Sequence, residues 1–231
     1  MAYEAKALIT TLAKQYEAEG WAYGIASMVK YFSCSAGGHD PLDPITAIAA
    51  DPSATSLPGT VLFGPEDIDD IEWESAICPR FVCQIDQGEF TGELSSVGLI
   101  AEITDVGFLV SASTARTFSF VDNAPAADTI TCSSGSFITD GFAAGMYVTV
   151  GNTTSNNGTY EISTVAAATI TLVAGESLTA EGPLNSATLT GGYHPSPPAL
   201  GTQYLFAIYN RPRLIITPTD GPTVFKLTPF L

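Results

Sequence analysis

The sequence predicts a mainly β fold: an α+β host domain with one N-terminal helix, carrying an inserted small all-β barrel or sandwich module. Three observations lead there. From Arg80 onward, apolar residues recur at period two rather than at the helical period. The 21 Gly and 15 Pro punctuate the chain at short intervals, which suits turns between strands. Residues 117–190 change composition to short Ser/Thr-rich apolar runs about ten residues apart. The division is residues 1–115 with 191–231 as a discontinuous host domain, and 116–190 as the module. With 231 residues, 45% of them apolar, both parts can bury a core. Insertion at a surface loop is tolerated because the loop's ends lie close together.

The elements follow in order. Leu8, Ile9, Leu12, Ala13 and Tyr16 form an apolar stripe at helical spacing, so the first twenty residues read as a helix ended by Gly20. Residues 24–32 read as a short strand. Residues 34–79 read as loops, broken by Gly37, Gly38, Pro41, Pro44, Pro52, Pro58, Gly59, Gly64 and Pro65. Phe81, Cys83 and Ile85 alternate with Val82, Gln84 and Asp86 in a half-buried strand that turns at Gly88. Residues 97–103 and 106–112 are further strands. In the module, strands are expected at 117–121, 129–132, 146–150, 159–165, 169–173 and 186–190. Asn156-Asn157-Gly158 signals a tight turn between two of them, and 137–142 one helical turn. After a turn-and-linker segment at 191–198, strands at 204–209, 213–217 and 223–228 close the chain.

Charge narrows the function. Only 14% of residues are charged, with 8 Lys+Arg against 24 Asp+Glu and a net charge of −16. A nucleic-acid surface needs clustered cations, so that class is excluded. No apolar run approaches the length of a membrane span, and Met1 opens onto polar sequence without a signal-peptide pattern. No basic residue lies between Arg116 and Arg211, and six acids do, so that stretch is nearly uncharged and takes its polarity from Ser, Thr and Asn. The four cysteines, Cys34, Cys78, Cys83 and Cys132, lack metal-site spacing and are expected as buried free thiols.

Catalytic signatures are missing: no phosphate loop, no His-Glu-x-x-His, no nucleophile elbow and no dinucleotide fingerprint. Ser27-Met28-Val29-Lys30 matches Ser-x-x-Lys, but its partner motifs are absent and Lys30 reads as a solvent-facing strand residue. His39-Asp40-Pro41-Leu42-Asp43 offers too few ligands for a metal and reads as a turn opened by Asp40. The acidic run Glu66, Asp67, Asp69, Asp70, Glu72 and Glu74 lacks calcium-loop spacing and is expected as a solvated face or a docking surface for a basic partner. Leu214, Ile215, Ile216, Val224 and Phe225 suit sheet completion or subunit contact. No catalytic, cofactor-binding or metal-binding residue is assigned.

A family resemblance joins these readings. The N-terminal helix, Gly37-Gly38-His39-Asp40-Pro41, Leu57-Pro58-Gly59, Leu94 to Ala101 and Gln203 to Asn210 resemble the tail-collar and tail-fibre-attachment proteins of tailed bacteriophages. The inserted segment is similar to a β module recurrent in phage structural proteins, through Thr139-Asp140-Gly141-Phe142, Val148-Thr149-Val150, Ser155 to Tyr160 and Thr169 to Leu172. The resemblance implies a non-enzymatic virion protein of the tail, baseplate or neck, assembled in the host cytoplasm. Its partners would be other tail proteins and copies of itself. An alternative gives the displayed module a host-surface receptor, glycan or protein, to bind.

Overall fold

The computed structural model describes residues 2–75, 78–112 and 115–230. The fold is mainly β. In chain order the first elements are β1 (Ala2–Ile9), α1 (Thr11–Tyr23), β2 (Ile25–Ser35), β3 (His39–Asp40), β4 (Asp43–Ala47), β5 (Val61–Asp67), β6 (Asp70–Ser75), β7 (Cys78–Ile85) and β8 (Gly92–Val106). Then come β9 (Leu109–Ser111), β10 (Phe118–Val121), β11 (Thr129–Cys132), β12 (Tyr147–Gly151), β13 (Gly158–Ala166), β14 (Thr169–Leu172), β15 (Glu181–Leu184) and β16 (Thr188–Gly192). The chain ends with β17 (Gln203–Ile216) and β18 (Thr223–Phe230). It divides into two compact units, residues 1–105 with 199–231, and residues 106–198. Residues 106–115 and 191–198, placed with the host by composition, therefore belong to the second unit. The reason is that β9 pairs with β16, Leu109 opposite Gly192.

In the first unit eight strands run in the order β5-β2-β8-β17-β1-β18-β7-β6. The two ends of that order are one continuous stretch of chain. Its first half pairs with β2 and its second half with β7. Between them, Ile68 N donates to Lys30 O at 2.8 Å and Asp69 N to Val82 O at 2.9 Å. Residues 61–75 thus close the sheet on itself as a barrel, which leaves no long free edge. The expected loop region therefore contains four strands, and the acidic run lies on two of them. The alternation along β7 is as expected, with Phe81, Cys83 and Ile85 buried. Ala7, Phe32, Cys34, Val97, Leu99, Phe225 and Leu227 are buried in the same unit.

The chain's opening corrects the expected helix. Residues 2–9 are a strand, paired in parallel with β18 through seven residues from Ala2–Val224 to Leu8–Phe230. The helix starts only at Thr11, where the Thr10 side chain accepts from Ala13 N at 3.2 Å and donates to Leu205 O at 2.7 Å. It stops at Gly24, whose φ of 78° supplies the left-handed cap, and not at Gly20. The strands expected at 204–209 and 213–217 are one long strand, β17, bulged between Asn210 and Leu214. Segment 48–59 covers its outer face, where Leu57 packs on Leu205 and Ile208.

In the second unit the strand order is β15-β10-β11-β14-β13-β12-β16-β9. The bend falls in β13, which pairs first with β12 and then with β14. Phe118, Phe120, Ile130, Phe137, Met146, Val148, Ile162 and Ile170 fill the core. Arg116 lies over the Phe118 and Phe137 rings and pairs with Asp140. Residues 152–157 form a six-residue loop and not a two-residue turn. The left-handed residue is Asn152, at φ 59°. Asn156 is fully buried: its side chain donates to Thr179 O and Glu181 and accepts from Thr179 N. It ties that loop to the segment leading into β15, a strand whose Gly-Pro disguised it as a turn. Proline is tolerated there because β15 is an edge strand.

Candidate functional site

The six predicted acids do not form one free patch. Glu66 and Asp67 lie exposed on β5, while Asp70, Glu72 and Glu74 alternate along β6 and share one face. That face carries its own cations. Lys226 on β18 pairs with Glu72 at 2.6 Å. Arg80 on β7 pairs with Glu74, with Glu4 at 3.2 Å and with Glu72 at 3.5 Å. The Arg80 guanidinium holds the Glu74 carboxyl below its ordinary range, and Glu74 in turn raises Arg80. Asp69 accepts from Gln84 N at 2.6 Å and Asp70 from Ile71 N at 2.8 Å. Four of the six acids thus have partners inside the unit. Glu66 and Asp67 remain to face a neighbour.

The apolar C-terminal residues separate in the same way. Phe225 and Ile216 are buried. Phe225 stacks on Tyr3 with ring centroids 5.6 Å apart and so belongs to the core. Leu214 and Val224 are half-buried, and only Ile215 is exposed. Period-two strands bury alternate residues, so a run of apolar letters cannot all face outward. Lys30, read as solvent-facing, is half-buried and bridges to Glu102 at 2.7 Å.

The short β3–β4 hairpin, which sequence reading took as a turn, carries exposed apolar side chains. Leu42 at its tip is 94% exposed and Ile45 81%, with Ile48 also exposed. The tip is preset by Asp40, whose carboxylate accepts from Leu42 N at 2.8 Å, as the Asp-Pro pattern implied, and by Thr46 bonded to Asp43 at 2.7 Å. The root is clamped. Gly38 N donates to the fully buried Ser95 Oγ at 2.9 Å, and His39 Nδ1 shares that hydroxyl at 2.9 Å. A side chain on Gly38 would come within 2.1 Å of Ser95 O, so glycine is required. Ser96 Oγ bonds Asn210 Oδ1 at 2.8 Å, and Asn210 Nδ2 reaches Ala49 O at 3.5 Å. Beside the root an open cavity of about 550 Å³ is lined by Ile48, Asp51, Ser53, Thr55, Ile208 and Asn210. Isolated Leu and Ile among turn residues were the available signal for this arm.

Ser95 and His39 touch, but Ser95 is sealed from solvent and its hydroxyl anchors a backbone amide. Burial pushes the Cys34 and Cys83 thiols up, away from the thiolate. All four cysteines are free thiols; Cys34 and Cys83 are buried, Cys78 and Cys132 half-buried. Among the described residues, no three His, Cys, Asp or Glu side chains converge as metal ligands. Among the described residues, no helix is long and apolar enough to cross a membrane. No protein family, curated protein or solved structure matches the chain.

Proposed function

We propose that the protein is a structural virion component of a tailed bacteriophage, joining tail fibres or a baseplate or collar ring to the tail, and working without catalysis. The observation that carries this reading is the clamped hairpin with Leu42 and Ile45 held in solvent. An exposed Leu or Ile side chain forgoes about 2 kcal/mol of burial, and a rigid pair presented at a fixed root is suited to insertion into a neighbouring subunit. Scarce surface charge fits permanent interfaces, which commonly exceed about 2,000 Å². The neighbours are other tail proteins and copies of this chain. Glu66 and Asp67 offer the remaining acidic contact for a basic patch on one of them.

Mass spectrometry of purified particles that carry the gene tests the reading directly: the polypeptide is expected in mature virions, and its absence there overturns the proposal. The hairpin is tested by the double substitution Leu42→Asp, Ile45→Asp. Both side chains are exposed, so the variant should keep the wild-type unfolding midpoint while its incorporation into particles falls at least about tenfold, the equivalent of about 1.4 kcal/mol in binding. Undiminished incorporation would remove the hairpin from the interface.

A further inference from the structure

A second surface of the first unit has the make-up of a ligand groove. It runs between α1 and the start of β2, with a volume of about 690 Å³, and is lined by Tyr16, Glu17, Gly20, Trp21, Ile25 and Ser27. Helical spacing builds it. Glu17 and Trp21 stand four apart and form one wall, while Tyr16 and Gly20 stand four apart and form the floor. Gly20 lets the helix approach β2 closely, because a Cβ there would sit 2.7 Å from Ile25 O. The opposite wall is the start of β2, where the Ser27 hydroxyl is hydrogen-bonded at 2.7 Å to that of the buried Tyr204 behind it. Tyr16 is fixed against Tyr204, with ring centroids 4.7 Å apart.

Trp21 decides what this groove can take. It is 94% exposed, so its indole rests on nothing in the unit and offers a whole aromatic face to a ligand. Flat aromatic faces flanked by a carboxylate and hydroxyls suit a molecule with an apolar face of C–H groups and a rim of hydroxyl groups. That is a pyranose ring. No Lys or Arg lines the groove and Glu17 does, so an acidic sugar is disfavoured and a neutral one is not. We infer that the α1–β2 groove is a binding site for a neutral glycan, with one sugar ring stacked on Trp21 and its hydroxyls held by Glu17 and Ser27. This site is on the first unit, not on the Ser/Thr-rich second unit, and it does not depend on the assembly reading.

The chain has two tryptophans, so the test uses the full-length protein with the exposed Trp73 replaced, Trp73→Phe, to leave Trp21 as the sole indole. Emission is followed while maltotriose, cellotriose, chitotriose and, for contrast, sialyllactose are added. The expected result is a saturable change with at least one neutral trisaccharide below about 10 mM. Calorimetry on the otherwise unaltered chain should then show that affinity weakened about tenfold or more by Trp21→Ala and about threefold or more by Glu17→Gln. Either substitution is at an exposed position, and an unchanged unfolding midpoint confirms an intact fold. Three results overturn the inference: no saturable response to any neutral sugar, a response to sialyllactose alone, or equal affinity in Trp21→Ala. A Trp21 emission shift that follows protein concentration without sugar also overturns it, since it reports self-association over this face.

Discussion

Arg211 enters the interior of the first unit through the bulge in β17, where Arg211-Pro212-Arg213 stand opposite the single residue Ser95. Its guanidinium carbon lies 4.0 Å from the Tyr3 ring centroid and 5.8 Å from that of Phe225. Nε donates to Pro212 O at 3.2 Å, while the buried Nη1 finds no acceptor among the described residues. The opposing effects are comparable in size. A desolvated cation–π contact contributes about 2 kcal/mol, and an unsatisfied buried donor costs about 1–3 kcal/mol, with further cost for removing the charge from water. Arg211→Met, which keeps length and apolar contact and removes both the charge and the orphan donor, is therefore expected to leave stability within about 1 kcal/mol of wild type. Arg211→Lys should lower it by about 2 kcal/mol, because an ammonium is more strongly hydrated and cannot stack flat on Tyr3. Urea unfolding of the two variants measures the difference, and a lysine variant as stable as wild type would show that stacking does not hold this residue.

At the scale of elements, α1 shows where a local preference yields to packing. Alanine at position 20 should favour an isolated helix by about 1 kcal/mol over glycine. In the protein the added methyl meets Ile25 O at 2.7 Å, against backbone that the Gly24 cap holds in place. Gly20→Ala is therefore expected to destabilise the protein by about 1–2 kcal/mol, the ordinary cost of overpacking, with the loss read as a lowered thermal midpoint. A raised midpoint would mean that the helix and β2 separate freely. The same region explains what could be read in advance. The stripe Leu8-Ile9-Leu12-Ala13-Tyr16 was real but spanned two elements, a strand and a helix joined at Thr10. Residues 2–9 are strand only because β18 lies beside them, and a partner more than two hundred residues away leaves no local mark. The β7 alternation and the module strands other than β15 were legible because their period and turns are local. The acids of β5 and β6 lie at the surface, and the pairing of Glu72 and Glu74 with Arg80 and Lys226 depends on strand neighbours that the local sequence does not mark. The hairpin tip was legible as a turn through Asp40-Pro41, and not as an apolar arm, since exposure is a property of the whole unit.

At the scale of the molecule, the chain leaves and re-enters the first unit at neighbouring points, and does the same in the second. Ile103 N donates to Thr202 O at 3.0 Å and Gly201 N to Ile103 O at 2.9 Å, so the exit from β8 and the approach to β17 are hydrogen-bonded side by side. In the second unit, β9 and the end of β16 are paired through Leu109 and Gly192. Each unit has its own closely packed apolar interior, led by Phe32, Leu99 and Phe225 in one and by Phe118, Phe137 and Ile162 in the other. Burying one such side chain contributes about 1.5–3 kcal/mol, so neither unit needs the other's core to offset its chain entropy. Two pieces follow from this geometry: residues 106–198 alone, and a chain in which Asp105 is joined to Ala199 by a short Gly-Ser turn. Both are expected to fold, each with a single cooperative thermal transition and strand-type circular dichroism. The joined chain should also retain Trp21 emission, since that indole and its groove belong to the first unit alone. Loss of cooperative unfolding in the joined chain would mean that β17 needs the second unit to find its register against β8. Loss in the excised piece would mean that the β9–β16 pairing cannot hold its ends together unaided.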